Sequence, residues 1–263
     1  MSACNFEERW IIIAGNIPVL TFHAIEDGPS VISFSPELFE RFMRKLHRSG
    51  YRTVRLSDAA GLVRERKPFP EKSFVLTFDD GYRSVYGGAF PVLRKYRMTA
   101  TVFLTVGDSE IRGPQDRLPT LGGRQMLSWG EIIEMKDAGI DFGAHTVTHP
   151  DLTAIDAARM EYEIRGSKEI IENNLGEPVL SFAYPYGKYD GRSLDIAGRY
   201  FGCACSDDLG ILTISSALYA LERVDAYYLR QERLFGLMLT KSFPLYVFLR
   251  NIPRTIVRRL GGR

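Results

Sequence analysis

The chain has 263 residues, is 45% hydrophobic and is nearly neutral, with 34 basic against 32 acidic residues. It is long enough to bury one large core or two small ones, and its charge balance excludes a nucleic-acid footprint over the whole domain. The cysteines, Cys4, Cys203 and Cys205, imply no disulfide and no zinc knuckle. Cys203 and Cys205 read as small apolar strand residues in a chain suited to a reducing compartment.

The first apolar run, from Trp10 to Leu20, is broken by Asn16 and Pro18, follows Glu7 and Glu8, and lacks a basic leader. No signal peptide is visible, and nothing reaches the roughly 18 apolar residues of a membrane span. A cytoplasmic location is expected. Residues 1–16 read as an N-terminal extension. Ile17 to His23 is strand-like, and Ser35-Pro36 then opens a helix whose Leu38, Phe39, Phe42, Met43 and Leu46 share one face before Gly50. A short run from Tyr51 to Leu56, a strand from Phe74 to Phe78, a helix from Ser84 to Tyr96 and a β-branched run from Thr99 to Val106 follow. The connection 107–126, rich in Gly, Pro and charge, is longer than packing requires and is expected to border a site. Ser128 and Glu131 have capping-box spacing and open a helix that Gly139 ends, ahead of a strand from Ile140 to Ala144. Beyond lie a long helix from Ala154 to Asn174, a strand from Val179 to Tyr184 and a helix from Leu194 to Tyr200. Short strands follow near Gly202 to Cys205 and Leu221 to Val224.

Strands alternating with helices imply an α/β fold with a parallel sheet, open or closed. A barrel is favoured because Asp79-Asp80-Gly81, His145-Thr146-Val147-Thr148-His149 and Tyr184-Pro185-Tyr186-Gly187 all follow the C-terminal ends of strands, where barrel active sites are built. Adjacent side chains at a strand end point different ways, so Asp79 and Asp80 have different tasks. Asp80, His145 and His149 offer three metal ligands with a position left for water, and Asp79 is the base. Taken singly, each string also reads as a plain turn or as surface histidines.

With these strings, the Leu20-Thr21-Phe22-His23 context and Ser128-Trp129, the chain resembles the polysaccharide deacetylase family, the NodB-homology domain of carbohydrate esterase family four. The resemblance runs from about 18 to 226 and makes 17–226 the expected domain. It implies a distorted (β/α) barrel of seven or eight parallel strands, a divalent metal, and hydrolysis of N-acetyl groups from an amino-sugar glycan. By position it makes Asp79 the base, Asp80, His145 and His149 the metal ligands, and the Tyr186 backbone N–H an oxyanion donor. Zinc is the expected ion, although the donor set also accepts cobalt, nickel or manganese. Two departures stand out: Ala183 occupies the place of an arginine that orients the aspartate in the family, and no histidine follows His149. The general acid is therefore unassigned. His23 is offered for it, since Val19 to Phe22 and Val75 to Phe78 are the same string and His23 matches Asp79. Tyr82, Tyr184, Pro185 and Arg223 are expected at the substrate, with Trp129 and Tyr186 as further stacking rings; Arg223 is also a stand-in for the missing arginine or a plain ion pair. His47 reads as solvated. The alternatives are a hydrolase of a non-sugar amide and a sugar-binding module that has lost turnover.

The remainder, 227–263, is basic and apolar. From 233 on it has seven basic residues and no acidic one. It reads as a peripheral contact with an anionic membrane, or as packing on the barrel or on another subunit.

Overall fold

The computed structural model describes residues 15–108 and 113–261, without the side chains of 254–261. Cys4 and nearly all of the N-terminal extension lie outside the described residues.

Seven parallel strands close a ring. In spatial order these are β2 (Val19–Phe22), β4 (Ser73–Phe78), β5 (Thr101–Leu104), β6 (Asp141–Ala144), β7 (Ser181–Ala183), β8 (Cys203–Leu209) and β10 (Leu221–Asp225), which returns to β2. A two-residue strand, β3 (Arg52–Thr53), pairs with the start of β4 outside the ring, and β1 (Asn16–Ile17) pairs antiparallel with β9 (Leu212–Thr213). The expected barrel of seven or eight strands thus has seven.

Inward positions alternate with outward ones, as strand geometry requires. Val19, Val75, Phe103, Ala183, Cys203, Cys205 and Leu221 fill the inner cluster, whereas Leu76, Val102 and Ala204 join the larger core with the helices. Cys203 and Cys205 are free, buried thiols, the small apolar residues expected; burial pushes the Cys205 thiol up to about 12. Gly143 on β6 has a packing reason, since a Cβ there would lie 2.5 Å from the ring of Phe103, its partner on the neighbouring strand β5.

Helices α1 (Pro36–Arg48), α3 (Phe90–Tyr96), α4 (Trp129–Asp137), α5 (Ala157–Leu175) and α6 (Gly191–Tyr200) flank the ring. Of the α1 stripe expected from spacing, Phe39, Phe42, Met43 and Leu46 are buried and Leu38 is half-buried. The α4 capping box is present in both directions. Three local expectations are corrected. Tyr51 to Leu56 is strand only at β3, because Leu56 already begins α2 (Leu56–Glu65), whose Leu56, Ala59, Ala60 and Val63 cluster with residues at the starts of the strands. Residues 84–96 form two pieces, a π-helical turn Val85–Ala89 and then α3, where Pro91 lacks the N–H needed to continue one ladder. His47 is half-buried, its ring centroid 5.3 Å from that of Tyr96. The chain ends in α7 (Glu232–Gly236) and α8 (Phe243–Gly261).

Candidate active site

β2 and β4 pair in register from Val19 opposite Val75 to Phe22 opposite Phe78, so His23 and Asp79 leave the rim at one height. The Asp79 N–H donates to the Phe22 carbonyl at 3.0 Å. His23 Nε2 stands 3.9 Å from Asp79 Oδ2. That is too long for a direct hydrogen bond and within reach of an ion pair.

Asp79 continues the inward row of Val75 and Thr77 and meets Arg223 there. The guanidinium donates to both carboxylate oxygens at 2.8 Å, and its Nε–H donates to the Ser206 carbonyl at 2.8 Å. Arg223, expected at the substrate, forms part of the cavity wall but is only 4% exposed. Its planar fork is committed to Asp79, the two-point geometry that only arginine supplies. The alternative named for it, replacement of the arginine missing at Ala183, is the one its geometry supports. It comes from β10, two strands away in the ring. Burial pushes the Asp79 carboxyl up, and Arg223, then His145 and His23, outweigh burial and hold it below the usual carboxylate range.

Asp80 turns out of the strand at φ 75°. Its Oδ1 lies 3.4 Å from His145 Nε2 and 3.3 Å from His149 Nε2, and the three ligand atoms fall within 4.8 Å of one another. Tetrahedral bonds of zinc length would separate donors by about 3.4 Å. The donor set therefore fits a divalent ion in spacing as well as in chemistry. His145 Nδ1 is 2.8 Å from the Ala183 carbonyl. A carbonyl only accepts, so the proton sits on Nδ1, and in the neutral ring the Nε2 lone pair faces the site. This contact is made by the backbone of Ala183, so it does not depend on the side chain at that position.

The loop between the two histidines takes positive φ at Thr146 (70°) and His149 (60°), where non-glycine residues are strained. Glu163 of α5 holds it. Its Oε2 accepts the N–H groups of Val147 and Thr148 at 2.9 and 2.8 Å, and its Oε1 accepts the Thr148 hydroxyl at 2.6 Å. Arg159 pairs with Glu163 at 2.7 Å. Sequence reasoning missed Glu163. The available signal was an acidic residue between Met160 and Ile164 on the buried face of α5.

The third string divides. Tyr184 is fully buried, its hydroxyl donating to the Tyr219 carbonyl at 2.9 Å, and Pro185 is buried too. Neither reaches the substrate as expected, because both anchor the turn in the core. Trp129 is likewise buried. Tyr186 is 60% exposed at φ 58°, with its ring edge-on to His149 at 4.7 Å. Gly187 allows the turn to close, since a Cβ would overlap Asp207 at 2.2 Å. Tyr82 lines the site but is 3% exposed, with the Arg124 guanidinium over its ring at 5.5 Å. It presents no open face for stacking.

These groups surround one cavity of about 460 Å³, lined by His23, Asp79, Asp80, His145, His149 and Tyr186, and by Arg124, Asp207 and Asp225, which sequence reasoning did not pick out. Leu121, Gly122 and Arg124 bring the connection 107–126 to its edge, as expected from its length.

A family model described as polysaccharide deacetylase matches residues 66–200. The putative polysaccharide deacetylase YxkH of Bacillus subtilis (strain 168) is 31% identical over 209 residues, 79% of this chain and 70% of that protein. The poly-beta-1,6-N-acetyl-D-glucosamine N-deacetylase of Escherichia coli (strain K12) is 31% identical over 137 residues, 48% of this chain but only 20% of that protein. Among solved structures, the Streptococcus pyogenes deacetylase PplD in complex with acetate is similar at TM-score 0.71 and 28% identity, covering 80% of this chain and 92% of that one.

Proposed function

Because the chain belongs to the polysaccharide deacetylase family, we propose that it is a metal-dependent carbohydrate N-deacetylase, hydrolysing N-acetyl groups of an amino-sugar glycan. One observation carries the reading: Asp79, gripped by Arg223, opens on the same cavity as the Asp80, His145 and His149 donor set.

Asp80, His145 and His149 would hold the ion, with zinc as the proposed metal. When bound, it would polarise the amide carbonyl and make the attacking water more acidic. Asp79 accepts that water's proton as the new C–O bond forms. Arg223 holds the Asp79 carboxyl below the usual carboxylate range, which keeps it ionised and able to accept a proton. The Tyr186 backbone N–H donates to the carbonyl oxygen as it gains charge. His23 donates a proton from Nε2 to the departing nitrogen, the C–N bond breaks, and acetate and a free amine result. The exposed Tyr186 ring offers a face to pyranose C–H groups.

A binding-only module, motivated by Ala183 and by the lack of a histidine after His149, loses the first of these grounds, because Arg223 grips Asp79 in place of the missing arginine. Acetate release from N-acetylglucosamine oligomers and from a β-1,6-linked polymer, measured with chelator and after restoring zinc, tests the proposal. Release is expected to vanish with chelator and return with zinc. Glycan binding without release, or activity only on non-sugar amides, would overturn it.

A further inference from the structure

The structure divides the apolar residues of the C-terminal segment between two faces. One covers the barrel. Phe235 of α7 stacks on Phe42 of α1 with centroids 3.6 Å apart, Phe243 and Val247 of α8 are buried, and the Tyr246 hydroxyl donates to the Tyr228 carbonyl at 2.7 Å. The other face of α8 has no cover among the described residues. Leu245, Phe248, Leu249 and Ile252, spaced i, i+3, i+4 and i+7, are 45, 64, 54 and 40% exposed. A solvated helix would carry polar side chains on that stripe, and large apolar residues exposed together mark a docking surface.

Charge identifies the occupant. Lys241 is exposed just before α8, whereas Arg250, three and four residues after Val247 and Tyr246, leaves the barrel-facing side with its guanidinium over the Tyr228 ring at 5.1 Å. By spacing it is Arg259, seven positions after Ile252, that continues the stripe. The sequence continues the helix with Arg254, Arg258 and Arg259, and no acidic residue occurs from 233 to 263. A second copy packed about a two-fold axis would set these cations against their own kind. An anionic bilayer accepts both features, the stripe at the acyl boundary and the cations among the headgroup phosphates.

We propose that α8 lies in the surface plane of an anionic membrane and holds the barrel there as a peripheral protein. No described side chain of α8 lines the catalytic cavity, so the inference stands apart from the deacetylase reading. The full chain is to be floated with phosphatidylcholine vesicles with and without phosphatidylglycerol. It is expected to float with the anionic vesicles, less so as salt rises. The double variant Phe248→Ser, Leu249→Ser is expected to partition at least about tenfold less with its melting temperature unchanged. Three results overturn the proposal: no flotation, equal partition into neutral and anionic vesicles, or a folded double variant that floats like the parent. A solution dimer that the same substitutions split would assign the stripe to a second copy instead.

Discussion

Asp79 works under a constraint set by its own partner. Two hydrogen bonds from Arg223 fix the carboxylate plane and lower its proton affinity. Asp79→Asn is expected to cut turnover by about 10²- to 10⁴-fold with bound zinc per chain unchanged; loss of metal together with activity would make Asp79 a ligand. Arg223→Ala leaves a buried charge unpaired and should cost about 3–5 kcal/mol of stability, read from urea unfolding. Arg223→Lys keeps the charge and loses the fork, so kcat should fall while the protein stays folded. His23→Gln tests the acid: turnover drops sharply and zinc content holds, whereas unaltered turnover would remove His23 from the mechanism. Arg223 shows where reading by residue stops. An arginine on a short strand was visible, but its pairing with Asp79, 144 positions earlier, is made by ring closure.

Among the elements, the paired strands β2 and β4 were the most legible. Their identical strings predict equal height at the rim, and the observed register sets His23 beside Asp79. Periodicity also revealed α1, and the capping box revealed α4. It did not reveal α2, since Tyr51 to Leu56 looks extended until the helix packs Leu56, Ala59 and Val63 against the starts of the strands. The link from α5 to the histidine loop lies at this scale as well. Glu163→Gln removes the charge that holds two backbone N–H groups over a strained loop. Zinc affinity is expected to fall about 10- to 100-fold, as for other supports of ligand groups, in a competition assay against a chromophoric chelator. An unchanged affinity would reduce Glu163 to a helix–loop tie.

For the whole molecule, the ion would join the loop after β4 to the loop after β6, so its binding free energy adds to folding stability. Thermal unfolding in chelator and in zinc at about a hundred times its dissociation constant should differ by about 2.7 kcal/mol, several degrees for a chain of this size. Identical melting curves would show that the donor set holds no ion. None of the described helices is long and apolar enough to cross a membrane, and the outward stripe of α8 is the surface feature that the barrel leaves uncovered.

The sequence by itself determined the alternation that makes a parallel α/β barrel, and it singled out the cluster of Asp80, His145 and His149 with Asp79 beside it. These are local, carried by hydrophobic period and by residue type at strand ends. Tertiary structure decided the rest, which depends on burial and on partners far apart in the chain. It placed Arg223 behind Asp79, moved Tyr184, Pro185 and Trp129 into the core, put Glu163 under the histidine loop, and separated the buried face of α8 from its open one. A side chain's type is written in the sequence, but the side of the fold it faces is set only when the ring closes and the helices pack against it.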